Sequence, residues 1–108
     1  MLTMDNLNHI TIYKGDKDSL AFIIDKYHLI DDVDKVEMMV KNKEIDSIFF
    51  KVIVNKFKCG MAILNFDEYN LGLMPIGEYK YQIRVKLPKQ NYESIHIEGD
   101  FTIKESLF

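Results

Sequence analysis

Apolar and polar residues alternate along most of this sequence, most strictly in its last third. From Gly77 to Leu87, Tyr79, Tyr81, Ile83, Val85 and Leu87 alternate with Glu78, Lys80, Gln82, Arg84 and Lys86. A period of two places the apolar side chains on one face of a strand and the charged ones on the other. From Ser94 to Ile103 the pattern returns, with Ile95, Ile97, Phe101 and Ile103 on one face and His96, Glu98, Asp100, Thr102 and Lys104 on the other. Pro88 opens the short polar connection, where its fixed φ suits a turn and its missing N–H costs no ladder bond. The two runs predict a hairpin with one wet and one dry face, and the rest of the chain must cover the dry one.

Upstream, the same reading predicts strands over His9–Lys14, Ser19–Ile24, Lys35–Lys41, Ile48–Phe57 and Met61–Phe66. Turn signals separate them: Gly15-Asp16-Lys17-Asp18, Asn42-Lys43-Glu44 and Lys58-Cys59-Gly60. Leu20, Ile23, Ile24 and Tyr27 also fit helical spacing behind Asp18 or Ser19, but Phe22, Ile23 and Ile24 favour a strand after so tight a turn. Ile48–Phe57 is apolar on both faces, as in a strand covered on both sides. Asp67–Ile76 breaks the pattern and reads as a connector. About seven short strands spaced by turns predict an all-β fold, an immunoglobulin-like antiparallel β-sandwich, formed by residues 1–108 as one domain. Tyr79 enters its strand just after a corner, where such a tyrosine can bond its hydroxyl to upstream backbone; otherwise it is simply the strand's first core residue. Gly99 lies on the apolar face between Ile97 and Phe101, which predicts a bulge or a close backbone approach.

Composition narrows the functional classes. The chain has 108 residues, 47% of them hydrophobic and 29% charged, enough to bury a core without metal or disulfide help. No run is long and apolar enough for a membrane helix, and the start lacks the basic and apolar regions of a signal peptide. A net charge of −3 without clustered Lys and Arg gives no electrostatic basis for capturing nucleic acid. The single cysteine, Cys59, excludes an internal disulfide.

Catalytic and metal chemistry find little to stand on. His9, His28 and His96 are far apart and show no ligand spacing. No serine lies in a nucleophile-elbow context, and the glycines form no phosphate-cradling loop. The residues therefore predict no enzyme, no cofactor and no metal site. Two features remain. Asp31, Asp32 and Asp34, in the polar stretch Asp25–Asp34, are candidates for recognition by an end loop, of a protein or a carbohydrate. On that reading, replacing all three would abolish binding and leave stability almost unchanged. Phe49, Ile53 and Phe57 form an apolar stripe opposite Ile48, Phe50, Val52 and Val54. Covered by a second sheet, the stripe is plain core. Exposed, it is an interface with another copy or another protein, in a homo-oligomer or a larger particle.

The order of elements also resembles a known family. Lys14-Gly15-Asp16 precedes an alternating strand, and an Asp-rich segment precedes Val36-Glu-Met-Met-Val-Lys41. Leu73-x-Pro-x-Gly77-x-Tyr79-x-Tyr81-x-Ile-x-Val85 is followed by Gly99-x-Phe101-x-Ile103. Together these resemble the N-terminal immunoglobulin-like β-sandwich domain of phage upper baseplate proteins, over roughly Ile10 to Lys104. The resemblance implies a non-enzymatic structural module that joins tail components through protein–protein contacts. Its partners would be other phage structural proteins or itself, and its place the virion tail or baseplate, after assembly in the bacterial cytoplasm.

Overall fold

A computed structural model describes residues 2–23, 29–44, 48–66 and 75–107, with backbone alone at Ile48 and Phe49. Eight strands appear among the described residues: β1 (Thr3–Met4), β2 (Ile10–Tyr13), β3 (Asp18–Ile23), β4 (Lys35–Asn42), β5 (Ile48–Val54), β6 (Met61–Phe66), β7 (Gly77–Leu87) and β8 (Tyr92–Lys104). They form a six-stranded sheet in the order β1-β2-β8-β7-β4-β5, faced by a two-stranded sheet of β3 and β6. The fold is an all-β sandwich. β3 and β6 form a small sheet of their own, set against a sheet that the last hairpin dominates.

The predicted hairpin is the centre of the large sheet. β7 and β8 pair from Gly77↔Ile103 to Leu87↔Tyr92, around a 3-10 turn at Pro88–Gln90. Asn91 closes that turn in the left-handed region at φ 49°. β3 is a strand, as expected from its β-forming residues, and its ladder with β6 runs from Asp18↔Phe66 to Ile23↔Met61. Two points differ from the antiparallel seven-strand expectation. Thr3–Met4 adds a short strand on β2, and β2 runs parallel to β8, from Ile10↔Phe101 to Tyr13↔Lys104. The parallel pair arises because β2 hands the chain over to β3 in the other sheet instead of turning back beside itself. The expected strand to Phe57 ends at Val54. Most of the Asp67–Ile76 connector lies outside the described residues.

The dry face finds its cover in the small sheet. Tyr81, Ile83, Val85 and Leu87 of β7 and Phe101 and Ile103 of β8 are essentially inaccessible, against Ala62, Leu64 and Phe66 of β6. Phe66 lies 5.9 Å from Phe101 and 6.2 Å from Phe50, ring centre to ring centre. Phe101 also meets Phe50 at 6.0 Å and Tyr81 at 6.4 Å. These spacings are those of favourable edge and tilted aromatic contacts.

Three local devices close the ends. Tyr79 donates its hydroxyl to the Pro75 carbonyl at 2.6 Å, so a tyrosine corner sits at the entrance to β7. Gly99 is required by a close approach: a Cβ there would lie 2.3 Å from the Asn8 carbonyl oxygen. The same Asn8 carbonyl accepts the Tyr81 hydroxyl at 2.6 Å, and burial pushes the Tyr81 phenol up to about 12. Between β5 and β6, Lys58 and Met61 exchange both backbone hydrogen bonds around Cys59 and Gly60. Both central residues have positive φ, 53° and 74°, the signature of a type I′ hairpin turn.

These contacts set two expectations. Tyr79→Phe should keep the far-ultraviolet dichroism and lower unfolding stability in urea by ~1 kcal/mol, the usual net value of one hydrogen bond. Gly99→Ala should cost more, roughly 1–3 kcal/mol, because the new methyl group must push the Asn8 turn off Tyr81. Equal stability of Gly99→Ala and the parent would contradict the Asn8 approach.

Candidate interaction surface

β4, β5, β7 and β8 turn their second face outward, and the ladders align it in rows. One row joins Ile53, Glu37, Arg84 and Ile95. The next joins Lys51, Met39, Gln82 and Glu98. Lys86 pairs with both Lys35 and Glu93 beside the first row. Alternation accounts for the charged side chains. A bulge accounts for Ile95: Ile83 faces Ile97, but Arg84 faces Ile95, so His96 is an extra residue. The expected inward position of Ile95 is therefore corrected, because the bulge reverses the parity and leaves that side chain 50% exposed. At the bulge, His96 Nε2 and the Tyr92 hydroxyl share a hydrogen bond of 2.9 Å.

Glu37 is the electrostatic centre of this face. It is 3% exposed although it points away from the core. Arg84 Nη2 donates to its Oε2 at 2.9 Å, Lys86 Nζ approaches Oε1 at 3.3 Å and Lys51 Nζ lies 3.7 Å from Oε2. Arg84 Nη1 also pairs with Glu93 at 2.8 Å. Burial alone would raise the Glu37 carboxyl pKa, but the Arg84 and Lys86 hydrogen bonds, with the nearby Lys51 charge, outweigh it and hold it below its ordinary value. Next to this cluster a depression of about 520 Å³ is lined by Met39, Lys41, Lys80, Gln82, Glu98 and Asp100 among others. Its acids are already engaged: Glu98 accepts from Gln82 at 3.1 Å, and Asp100 is 3.1 Å from Lys43 Nζ. The outer face of the small sheet differs in kind, since Ser19, Ala21, Ile23, Met61, Ile63 and Asn65 carry no charge.

The predicted apolar stripe divides. Ile53 lies on the outer face and is 51% exposed. Phe57 lies beyond the end of β5 and packs, partly buried, against the core, so it does not continue the Ile53 face. Phe49 falls at a second bulge, since Val40 faces Phe50 while Lys41 faces Ile48; its side chain lies outside the described residues. Phe50, Val52 and Val54 face inward as expected and pack against the core.

The three aspartates are brought together as scaffolding. Asp34 is 2% exposed, and its Oδ2 accepts the Ile30 N–H at 2.7 Å. Asp31 Oδ1 accepts the Phe57 N–H at 2.9 Å, tying this loop to the one that follows β5. Asp32 takes the left-handed region at φ 63° and donates its N–H to the Asn55 carbonyl at 2.8 Å. Two of the carboxylates satisfy backbone donors, which counts against the expectation that their replacement would leave stability almost unchanged. Among the described residues no group of three His, Cys, Asp or Glu side chains is placed to hold a metal ion. Cys59 is an exposed thiol.

Sequence reasoning missed Glu37, Arg84, Lys86 and Ile95 as a unit. Each appears correctly as polar or apolar in its own strand, and no local pattern states which residues meet across β4, β7 and β8. The chain matches no protein-family model, and no curated protein matches it.

Two measurements follow. Glu37→Gln should cost roughly 1–3 kcal/mol at neutral pH, because it leaves three partly exposed cations clustered without their anion. The folded Glu37 pKa lies below the unfolded one, so the parent's advantage is full above the unfolded value and is lost as pH falls through the folded value. Urea titrations at pH 7 and pH 3 should therefore show the gap between parent and variant closing in acid. Asp34→Ala should lower stability by about 1 kcal/mol, since it removes the acceptor of the part-buried Ile30 N–H bond; an unchanged melting temperature would argue against the scaffolding role.

Proposed function

We propose that this chain is a non-enzymatic structural module of a phage or prophage tail or baseplate, working through protein–protein contacts. The observation that carries the contact reading is the outer face of β5, β4, β7 and β8. There half-exposed Ile53 and Ile95 flank the Glu37–Arg84 pair in a single cross-strand row. Apolar ends around a fixed, internally neutralised charge pair suit a protein partner, which can cover the isoleucines without stripping water from an unpaired ion. The acids of the adjoining depression are held by Gln82 and Lys43, which disfavours their use as a paired acid and base. The phage attribution rests on the resemblance carried by the Leu73–Val85 and Gly99–Ile103 motifs. The alternative, recognition of a protein or carbohydrate by the Asp31, Asp32 and Asp34 loop, has less support because Asp31 and Asp34 are engaged by backbone N–H groups.

Particle composition tests the proposal. Induction of the host strain should yield gradient-purified particles whose mass spectra contain this chain at structural stoichiometry, and tail or baseplate genes should flank its gene. A gene set in a metabolic operon, with the chain missing from the particles, would overturn it.

A further inference from the structure

We infer that β5 is a self-pairing edge, and that two copies of this chain join antiparallel through Phe50–Val54 around a two-fold axis at Val52. The inference rests on the reading that the chain acts through protein contacts, and it names the partner. Among the described residues β5 ends the six-stranded sheet. Its regular part runs from Phe50, just past the bulge at Phe49, to the strand end at Val54. It contains no proline and no glycine, and Lys51 is its one charge. Short length, proline, charge and bulges are the usual devices that keep an edge from pairing; β5 carries one lysine and the bulge at Phe49, and the five residues past the bulge keep a regular edge. The opposite edge uses the first of them, because β1 is only Thr3–Met4.

Burial points to the same place. In β4 the inward side chains Val36, Met38 and Val40 are 0% exposed. One strand outward, Phe50, Val52 and Val54 are only partly buried, and on the other face Ile53 is half exposed. An added strand would shield β5 on both faces and satisfy its outward backbone groups.

The sequence of the edge selects a second copy and one register. With the axis at Val52, Phe50 faces Val54 of the other copy twice and Val52 faces its own counterpart. On the outer face Lys51 faces Ile53 of the other copy twice, so its aliphatic stem covers the isoleucine while its ammonium stays beside Glu37 of its own copy. Moving the axis to Lys51 would set two lysines directly opposite each other, which is unfavourable. A C2 contact of this kind is closed and stops at two copies. One strand pair buries less than a standard interface, so the dimer is weak, with a dissociation constant on the order of 100 μM.

The test uses the full chain. Sedimentation equilibrium or light scattering from about 10 μM to about 1 mM should show a monomer–dimer equilibrium in that range. Ile53→Lys places a lysine opposite Lys51 of the other copy and should weaken the dimer at least about tenfold. In its own fold the new side chain lies across from Glu37, so the monomer should keep its far-ultraviolet dichroism. In a Cys59→Ser background, Val52→Cys should form an interchain disulfide on mild oxidation, because facing residues on the axis lie within disulfide reach. Ile53→Cys in the same background faces Lys51 and should not. Three results overturn the inference: a strictly monomeric chain at about 1 mM, a dimer that Ile53→Lys leaves intact, or cross-linking of the Ile53→Cys variant but not of the Val52→Cys variant. Its failure is separate from failure of the functional proposal, since a chain found in purified particles yet monomeric in solution rejects this dimer alone.

Discussion

Phe66, Phe101, Phe50 and Tyr81 meet where the two sheets face each other, and the rest of the sandwich depends on that contact. Each ring comes from a different strand, β6, β8, β5 and β7. The cluster therefore joins the small sheet to the last hairpin and to the edge strand at once. Without it the hairpin would leave its long apolar face in water, and β3 and β6, a sheet of two strands, would have no independent stability. The asymmetry of six strands against two also explains where burial is incomplete. It is total under β4, β7 and the Phe101–Ile103 end of β8 and fades at β5, which the small sheet does not fully cover.

The ends of the sandwich are closed by backbone contacts of specific residues. Asn8, in the turn before β2, presses its carbonyl against Gly99 and receives the Tyr81 hydroxyl. One peptide group thus registers the N-terminal strands on β8, which matters because the β2–β8 pairing is parallel and has no hairpin to set it. At the other end, Asp31 and Asp34 order the loop before β4 and tie it to the chain leaving β5. Residues that look like a ligand-binding acidic loop in the sequence serve as internal acceptors in the fold.

The outer face of the large sheet combines two tendencies that are usually separated. Its centre is an ion cluster in which Glu37 is enclosed by Arg84, Lys86 and Lys51. Its margins at Ile53 and Ile95 are apolar and half exposed. A buried carboxylate with its cations in place resists rearrangement, because moving one partner leaves a charge desolvated and unpaired. Such a centre favours a rigid platform for contact over a reactive pocket, which is why the interface reading has more support here than a catalytic one.

Period-two alternation determined most of the strands and, but for Ile95, the dry face of the last hairpin, and with them the all-β class, because side-chain direction in a strand follows from the backbone alone. Gly99 and Tyr79 were legible for a similar reason: a missing side chain in an apolar run, and a tyrosine just after a corner, each have few structural uses. Only the tertiary structure decided the parallel pairing of β2 with β8, since partners so distant in sequence are chosen by sheet packing and not by local pattern. It also decided the two bulges. One extra residue at His96 turned Ile95 to the outer face, and another at Phe49 interrupted the β5 ladder; alternation read from sequence carries no mark of an inserted residue. The burial of Glu37 belongs with these, because an outward-facing glutamate becomes a buried one only when Arg84, Lys86 and Lys51 arrive from neighbouring strands and close over it.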